Sequence, residues 1–149
     1  RGEAAGLSIY DVNLDSATLR VNGKFGKQRL LPLGKHAVKF VRLYLQECRQ
    51  KFLPKFTLPT DELWLNHKRQ SMSPEGIGQV ISKCAKRAGL VVSTHTLRRS
   101  CATHMLRGGA HPVAVAKLLG HSGLQSLVYY LQTTITDLMK AHAQTNPGK

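Results

Sequence analysis

The segment STHTLRRSCATHML, residues 93–106, contains a histidine and an arginine whose spacing suits phosphate chemistry. His95 and Arg98 stand at i and i+3, so on a helix they project from neighbouring points of one face. An arginine fork binds two phosphate oxygens, and a histidine accepts or donates a proton near neutral pH. The helical period places Leu97, Cys101 and Met105 on a separate apolar stripe. His104 falls within that stripe and is therefore predicted to be a core histidine.

Other reactive side chains lie where loops are expected. Lys24 sits in the glycine-rich turn GKFGK, and His121 follows Gly120 at an expected helix end. Tyr129 and Tyr130 are adjacent in the short apolar segment LVYYL, and periodicity does not separate their roles. No metal or nucleotide motif such as H-E-x-x-H or G-x-x-x-x-G-K-[ST] is present. Two alternatives to phosphate chemistry remain: His95 and Arg98 belong to a solvated polar face, or histidines distant in the sequence bind a metal ion together.

A small sheet is predicted before these residues. Two β-prone runs within residues 17–33, TLRV and QRLLPL, flank the GKFGK turn and indicate a hairpin. The segment ELWL at 62–65 is a candidate third strand. Apolar residues at helical spacing predict a helix over 35–49.

Helices dominate the rest of the chain. Ser73 and Pro74 begin one that Gly89 ends, and its apolar face includes Ile77, Ile81 and Cys84. Further helices are predicted at 96–106, at 112–119 before Gly120, at 124–131 and at 134–143. We therefore expect a mainly α fold with a small antiparallel sheet near the N-terminus, an α+β class.

The composition indicates a polyanion as partner. The chain has 149 residues, with 22 Lys and Arg against 8 Asp and Glu, giving a formal charge of +14. Such an excess favours nucleic acid over the alternatives, a ribosomal or heparin-binding surface. The length suits one domain. Three cysteines without a C-x-x-C pair predict buried, reduced thiols: Cys48, Cys84 and Cys101.

Longer motifs carry a resemblance to a known family. HTLRRSCATHMLRGGA, LLGHS, the pair YY at 129–130 and the hairpin GKFGKQRLLPL look like the tyrosine recombinases, or phage integrases, of the Xer type. The resemblance extends over essentially the whole chain, which is accordingly expected to form one catalytic domain, residues 1–149. It implies an active set of Lys24, His95, Arg98, His121 and Tyr130. Tyr130 is taken as the nucleophile because the family's nucleophile normally lies nine residues past the LGH histidine.

The resemblance also implies a mechanism and partners. Members cut and rejoin double-stranded DNA through a 3′-phosphotyrosine bond, without cofactor or metal, as tetramers in the cytoplasm of bacteria. The family's first arginine would fall one residue before Arg1, so a fragment of impaired activity, lacking the N-terminal DNA-binding domain, is expected. A basic DNA-binding module without catalysis and a metal-dependent nuclease remain alternatives. Candidate backbone-phosphate contacts are Lys27, Arg29, Lys68, Arg69 and Arg99.

Overall fold

The structure, a computed structural model, describes residues 1–23, 26–53, 60–120 and 143. The chain divides into two compact units, Arg1–Ser93 and Thr94–Lys149. Among the described residues, no helix is long and apolar enough to cross a membrane.

The first unit is built on a three-stranded antiparallel sheet. A short helix α1 (Gly2–Ala5) and a 3-10 turn (Ile9–Asp11) lead into β1 (Val12–Asn13), β2 (Thr18–Asn22) and β3 (Gln28–Pro32), in the order β1-β2-β3. In the β2–β3 register, Leu19 pairs with Leu31 and Val21 pairs with Arg29. The predicted hairpin is confirmed.

The third strand is not the predicted segment 62–65, so that prediction is wrong. This segment makes only isolated bridges, and its apolar side chains Leu63 and Leu65 are buried. The backbone N–H of Leu63 donates to the Leu7 carbonyl at 2.8 Å, and that of Leu65 donates to the Tyr44 hydroxyl at 3.0 Å. Because these groups are satisfied against other parts of the unit, the segment fills the core instead of extending the hairpin.

A continuous helical stretch follows the hairpin and confirms the helix predicted over 35–49. It comprises α2 (Lys35–Leu43), a π-helical turn (Tyr44–Cys48) and α3 (Arg49–Phe52). Arg49 is only 5% exposed, and its guanidinium donates to two carbonyls. The bonds reach the Thr60 oxygen at 2.5 Å and the Glu62 oxygen at 2.8 and 3.2 Å. Arg49 thereby ties α3 to the start of the core-filling segment.

A second buried polar group, Asp11, fixes the turn before the sheet. Its carboxylate accepts from the Ser8 backbone N–H at 2.9 Å and from Arg20 Nε at 2.9 Å. The Ser8 hydrogen bond, supported by Arg20 and opposed by burial, lowers the pKa of Asp11 below its ordinary value.

Helix α4 (Pro74–Arg87) begins and ends as predicted. The Ser73 hydroxyl accepts from the Gly76 N–H at 3.1 Å, and Gly89 adopts a φ of +68° beyond the last turn. The predicted burial of the cysteines is wrong, since all three thiols are free but exposed. Cys84 lies on the apolar face of α4, yet no residue of this helix is buried. Periodicity identifies an apolar face but not whether another element covers it.

The second unit, as far as it is described, packs α5 (Thr94–Arg107) against α6 (Pro112–Leu119). Its buried cluster consists of Ala102, Leu106, Val115, Ala116 and Leu119. Both helices were predicted, and Gly120 ends α6 with a φ of +70°. The helix predicted at 124–131 lies outside the described residues, and so does the one predicted at 134–143 apart from residue 143, which is helical. The expected fold class, mainly α with a small antiparallel sheet, is confirmed.

Candidate active site

The core-facing stripe of α5 contains Arg98. Ala102 and Leu106 are buried at 0% and 7% exposure, and Arg98 precedes them at the same four-residue spacing. The predicted stripe differs, since Leu97 is 48% exposed and Cys101 is also exposed. The prediction that Arg98 leaves the core face is therefore wrong. The small side chain of Ala102 lets Val115 and Ala116 of α6 pack against it. The face of α5 that contacts α6 is therefore the one with Ala102, not the stripe that contains Leu97 and Cys101.

The prediction that His104 is a core histidine is wrong for the same reason, since its side chain is exposed. It belongs to an outward polar face of α5 that lines an open groove of about 330 Å³. The other lining residues are Thr96, Arg99, Ser100, Thr103 and Arg107.

Arg98 connects α5 to the end of α6. One terminal nitrogen of its guanidinium, Nη2, donates to the backbone carbonyl of Leu119, the last residue of α6. Carbonyls at a helix C-terminus lack an intrahelical partner, and a cation there also interacts favourably with the helix dipole. Gly120 then turns the chain in a left-handed conformation, immediately before His121 in the sequence. Arg98 is thus half-buried and held at a defined point.

His95 differs from Arg98 in exposure. It is exposed in the first turn of α5, one turn before Arg98. A guanidinium has five N–H donors, so the bond to Leu119 is compatible with binding an anion as well. An exposed imidazole beside a partly buried guanidinium can exchange a proton and neutralise charge on one phosphate.

The remaining predicted catalytic residues are not described by the structure. Lys24, His121 and Tyr130 lie outside the described residues, so their roles stay predictions. His95 and Arg98 are the two members of the predicted set whose placement the structure gives.

Four of the five predicted DNA contacts are exposed. Lys68 and Arg69 lie in a tight turn in which the Asn66 side-chain oxygen accepts from the Lys68 N–H at 2.8 Å, and Arg69 has a φ of +63°. Lys27 is exposed beside the hairpin tip and Arg99 on α5. Their contacts with DNA stay predictions.

Arg29, the fifth, is engaged within the protein. Both of its terminal nitrogens donate to the carboxylate of Glu3, at 2.9 and 2.8 Å. Glu3 was not among the predicted functional residues, although the pattern of β3 indicated that Arg29 needs a partner. Strict alternation along β3 places Arg29 on the same side of the sheet as the core residue Leu31, where a cation needs a partner.

Comparisons with known proteins identify the family of this chain. The model of the phage integrase family matches residues 1–136. Tyrosine recombinase XerC of Anoxybacillus flavithermus is 33% identical over 147 residues, covering 97% of this chain and 49% of the relative. Tyrosine recombinase XerD of Mycobacterium leprae is 36% identical over 149 residues, covering 97% and 47%. The chain therefore spans about half the length of the curated relatives it matches.

Solved structures show the same fold. The crystal structure of XerA recombinase matches with a TM-score of 0.80 and 26% identity, over 99% of this chain and 53% of that one. XerH recombinase bound to palindromic difH substrate, after cleavage, matches with a TM-score of 0.75 and 24% identity, over 95% and 40%, which speaks for the fold alone. With a family match over residues 1–136 and relatives above 30% identity, the chain belongs to the phage integrase family of tyrosine recombinases.

Proposed function

We propose that this chain is the catalytic domain of a site-specific recombinase that cuts and rejoins double-stranded DNA. The observation that carries the proposal is the family match over residues 1–136, within which the H-x-x-R pair forms one exposed and one half-buried partner on α5. The formal charge of +14 supports a DNA partner, since neutralising phosphates releases condensed counterions. The whole protein is proposed to act as a tetramer on DNA in the bacterial cytoplasm.

In the proposed reaction, the phenol oxygen of Tyr130 attacks the scissile phosphorus. A tyrosyl P–O bond forms while the bond from phosphorus to the 5′ oxygen breaks, and Lys24 gives that oxygen a proton. Arg98 and His121 donate hydrogen bonds to the non-bridging oxygens, where negative charge grows. His95 assists transfer of the phenol proton. Attack from the freed 5′ hydroxyl of another strand reverses the step and joins the new partners.

The roles of the donors set a scale for their loss. A preorganised donor aimed at transition-state charge contributes about 3–4 kcal/mol, or about 100- to 1,000-fold in rate. Arg98 has a further requirement, because it must present its fork while bonded to the Leu119 carbonyl. Arg98→Lys keeps the charge but not the planar fork, so we expect cleavage to slow on that scale while DNA binding is nearly retained.

Covalent trapping tests the proposal. The whole protein carrying this chain would first select duplexes from a random pool. The selected duplex would then be nicked beside the scissile phosphate, so that cleavage releases a short 5′-hydroxyl strand and cannot be reversed, and denaturation would reveal any protein band that retains DNA. We expect an adduct that survives Tyr129→Phe and disappears with Tyr130→Phe, and that forms in the presence of a chelator. Tight, selective binding without an adduct from the unaltered protein would instead show a DNA-binding module. Free DNA ends that vanish with chelator would show a metal-dependent nuclease.

A further inference from the structure

An ion pair connects the base of the hairpin tip to a residue outside the hairpin. Glu3, on α1, receives two parallel hydrogen bonds from Arg29, on β3, at 2.9 and 2.8 Å. The Arg29 side chain is 19% exposed and that of Glu3 is 39% exposed. The hydrogen bonds to Glu3 outweigh partial burial and raise the pKa of Arg29 above its usual value. Two-point contact fixes the plane of the guanidinium as well as its position.

That guanidinium lies directly against Gly23. A Cβ added to Gly23 would be 3.1 Å from Nη1 of Arg29 and 3.1 Å from the Lys27 carbonyl oxygen. It would also be 3.6 Å from Oε1 of Glu3. A side chain at position 23 would therefore displace the guanidinium or the Lys27 carbonyl by a few tenths of an ångström, whereas glycine leaves both in place.

Gly23 immediately precedes Lys24 in the sequence. Its N–H donates to the Lys27 carbonyl at 2.8 Å, closing the tip just beyond the last ladder pair, Asn22 with Gln28. The strand ladder, this hydrogen bond and the Arg29 guanidinium together determine where the chain leaves β2. A flexible lysine delivers a proton efficiently only if its backbone starts from a fixed place.

We propose that Arg29, oriented by Glu3, is a positioning residue that sets the backbone origin of Lys24 for protonation of the leaving 5′ oxygen. This rests on the proposed function, in which Lys24 is the general acid. Partly exposed ion pairs contribute little to stability, so a large effect of Arg29 on cleavage would not follow from general unfolding.

The test uses a substrate that needs no general acid. Replacing the bridging 5′ oxygen of the scissile phosphate by sulfur makes the leaving group a thiolate, with a pKa of about 8.5, which departs without receiving a proton. Arg29→Gln removes the charged fork while keeping a side chain of comparable reach. Arg20→Gln is the matched control, because Arg20 is also paired with a carboxylate but lies on the other face of the sheet.

We expect Arg29→Gln to slow adduct formation about 10- to 100-fold on the oxygen substrate. The sulfur substrate should restore its rate to within about threefold of the unaltered protein, since only the proton delivery is misplaced. The rate of Arg29→Lys on the oxygen substrate should lie between the rates of Arg29→Gln and the unaltered protein. Arg20→Gln should match the unaltered protein on both substrates. In a Lys24→Ala background, Arg29→Gln should slow the oxygen reaction no further.

Two outcomes overturn the inference alone: an Arg29→Gln defect that is equal on both substrates, or no defect at all. Lys24→Ala keeps this separate from the proposed function. If sulfur fails to rescue Lys24→Ala, or the unaltered protein forms no adduct, the proposed function fails first. If sulfur rescues Lys24→Ala but not Arg29→Gln, only the positioning role fails.

Discussion

Replacing Arg49 by methionine should strongly destabilise the first unit while leaving its apolar packing largely intact. Methionine retains the aliphatic length of the side chain but provides no donor for the carbonyls of Thr60 and Glu62. A fully buried acceptor left without a partner costs about 1–3 kcal/mol, and because Thr60 and Glu62 are half-buried, we expect about 2–4 kcal/mol for the two carbonyls together. Arg49→Lys should lose less, because an ammonium group can still reach one carbonyl.

Urea unfolding followed by the fluorescence of Trp64 measures this loss. Trp64 is the single tryptophan of the chain, and the centroid of its ring lies 5.1 Å from that of Tyr44. Trp64 belongs to the core-filling segment 62–65, whose start is bonded to Arg49. With a slope of about 2 kcal/mol per M, a loss of about 4 kcal/mol lowers the midpoint by about 2 M. Lys51→Met is the control, since Lys51 is an exposed cation on the same short helix. Equal midpoints for the two variants would refute the reasoning, because they would show that the two carbonyls do not depend on Arg49.

Further predictions concern the carboxylate of Asp11, the glycine that ends α6 and the three cysteines. The pKa of Asp11 is lower in the folded than in the unfolded chain. Its carboxylate therefore stabilises the fold above about pH 3.9, and this stabilisation is lost as the pH falls through the folded pKa. In Asp11→Asn, the free energy of unfolding should depend less steeply on pH in that acidic range. Gly120→Ala should cost about 1–2 kcal/mol in a thermal melt, because Gly120 has a φ of +70°, whereas Gly34→Ala, at a φ of −68°, should cost under about 0.5 kcal/mol. A thiol reagent should modify all three cysteines of the native protein without denaturant, and protection of any of them would contradict its exposure: Cys48, Cys84 and Cys101.

Local signals explain what could be predicted of the fold. The hairpin is defined by a glycine-rich turn between β-prone runs, and α4 by a Ser-Pro start and a Gly end, all within a few residues of the element concerned. Strand β1 is two residues long, too short for any alternation to appear. Segment 62–65 has strand composition, but its buried leucines and its backbone hydrogen bonds with distant residues place it in the core. Tertiary partners decide such cases.

The candidate site divides in the same way. Residue types and order in H-x-x-R are local, and so is the expectation of a helix across His95 and Arg98. The orientation of that helix depends on α6, which packs against Ala102 and brings Arg98 toward Leu119. Glu3 and Arg29 are 26 positions apart in the sequence, farther than the roughly 11–18 residues over which periodicity is detected. The contacts that orient the site are therefore the part that sequence periodicity could not give.

The setting of Arg98 bears on its function. An arginine on a core-facing stripe carries a desolvation cost, and replacing buried charges by apolar side chains of similar volume is often neutral or stabilising. Packing alone thus gives no reason for a guanidinium at this position of α5. The bond to the Leu119 carbonyl supplies one reason, since it caps α6, but it occupies a single donor of a group that has five. A half-buried, oriented guanidinium suits the proposed stabilisation of charge on a phosphate, because its donors need little reorganisation during the reaction. The contact that fixes Arg98 in the fold is thus the same one that prepares it for the proposed chemistry.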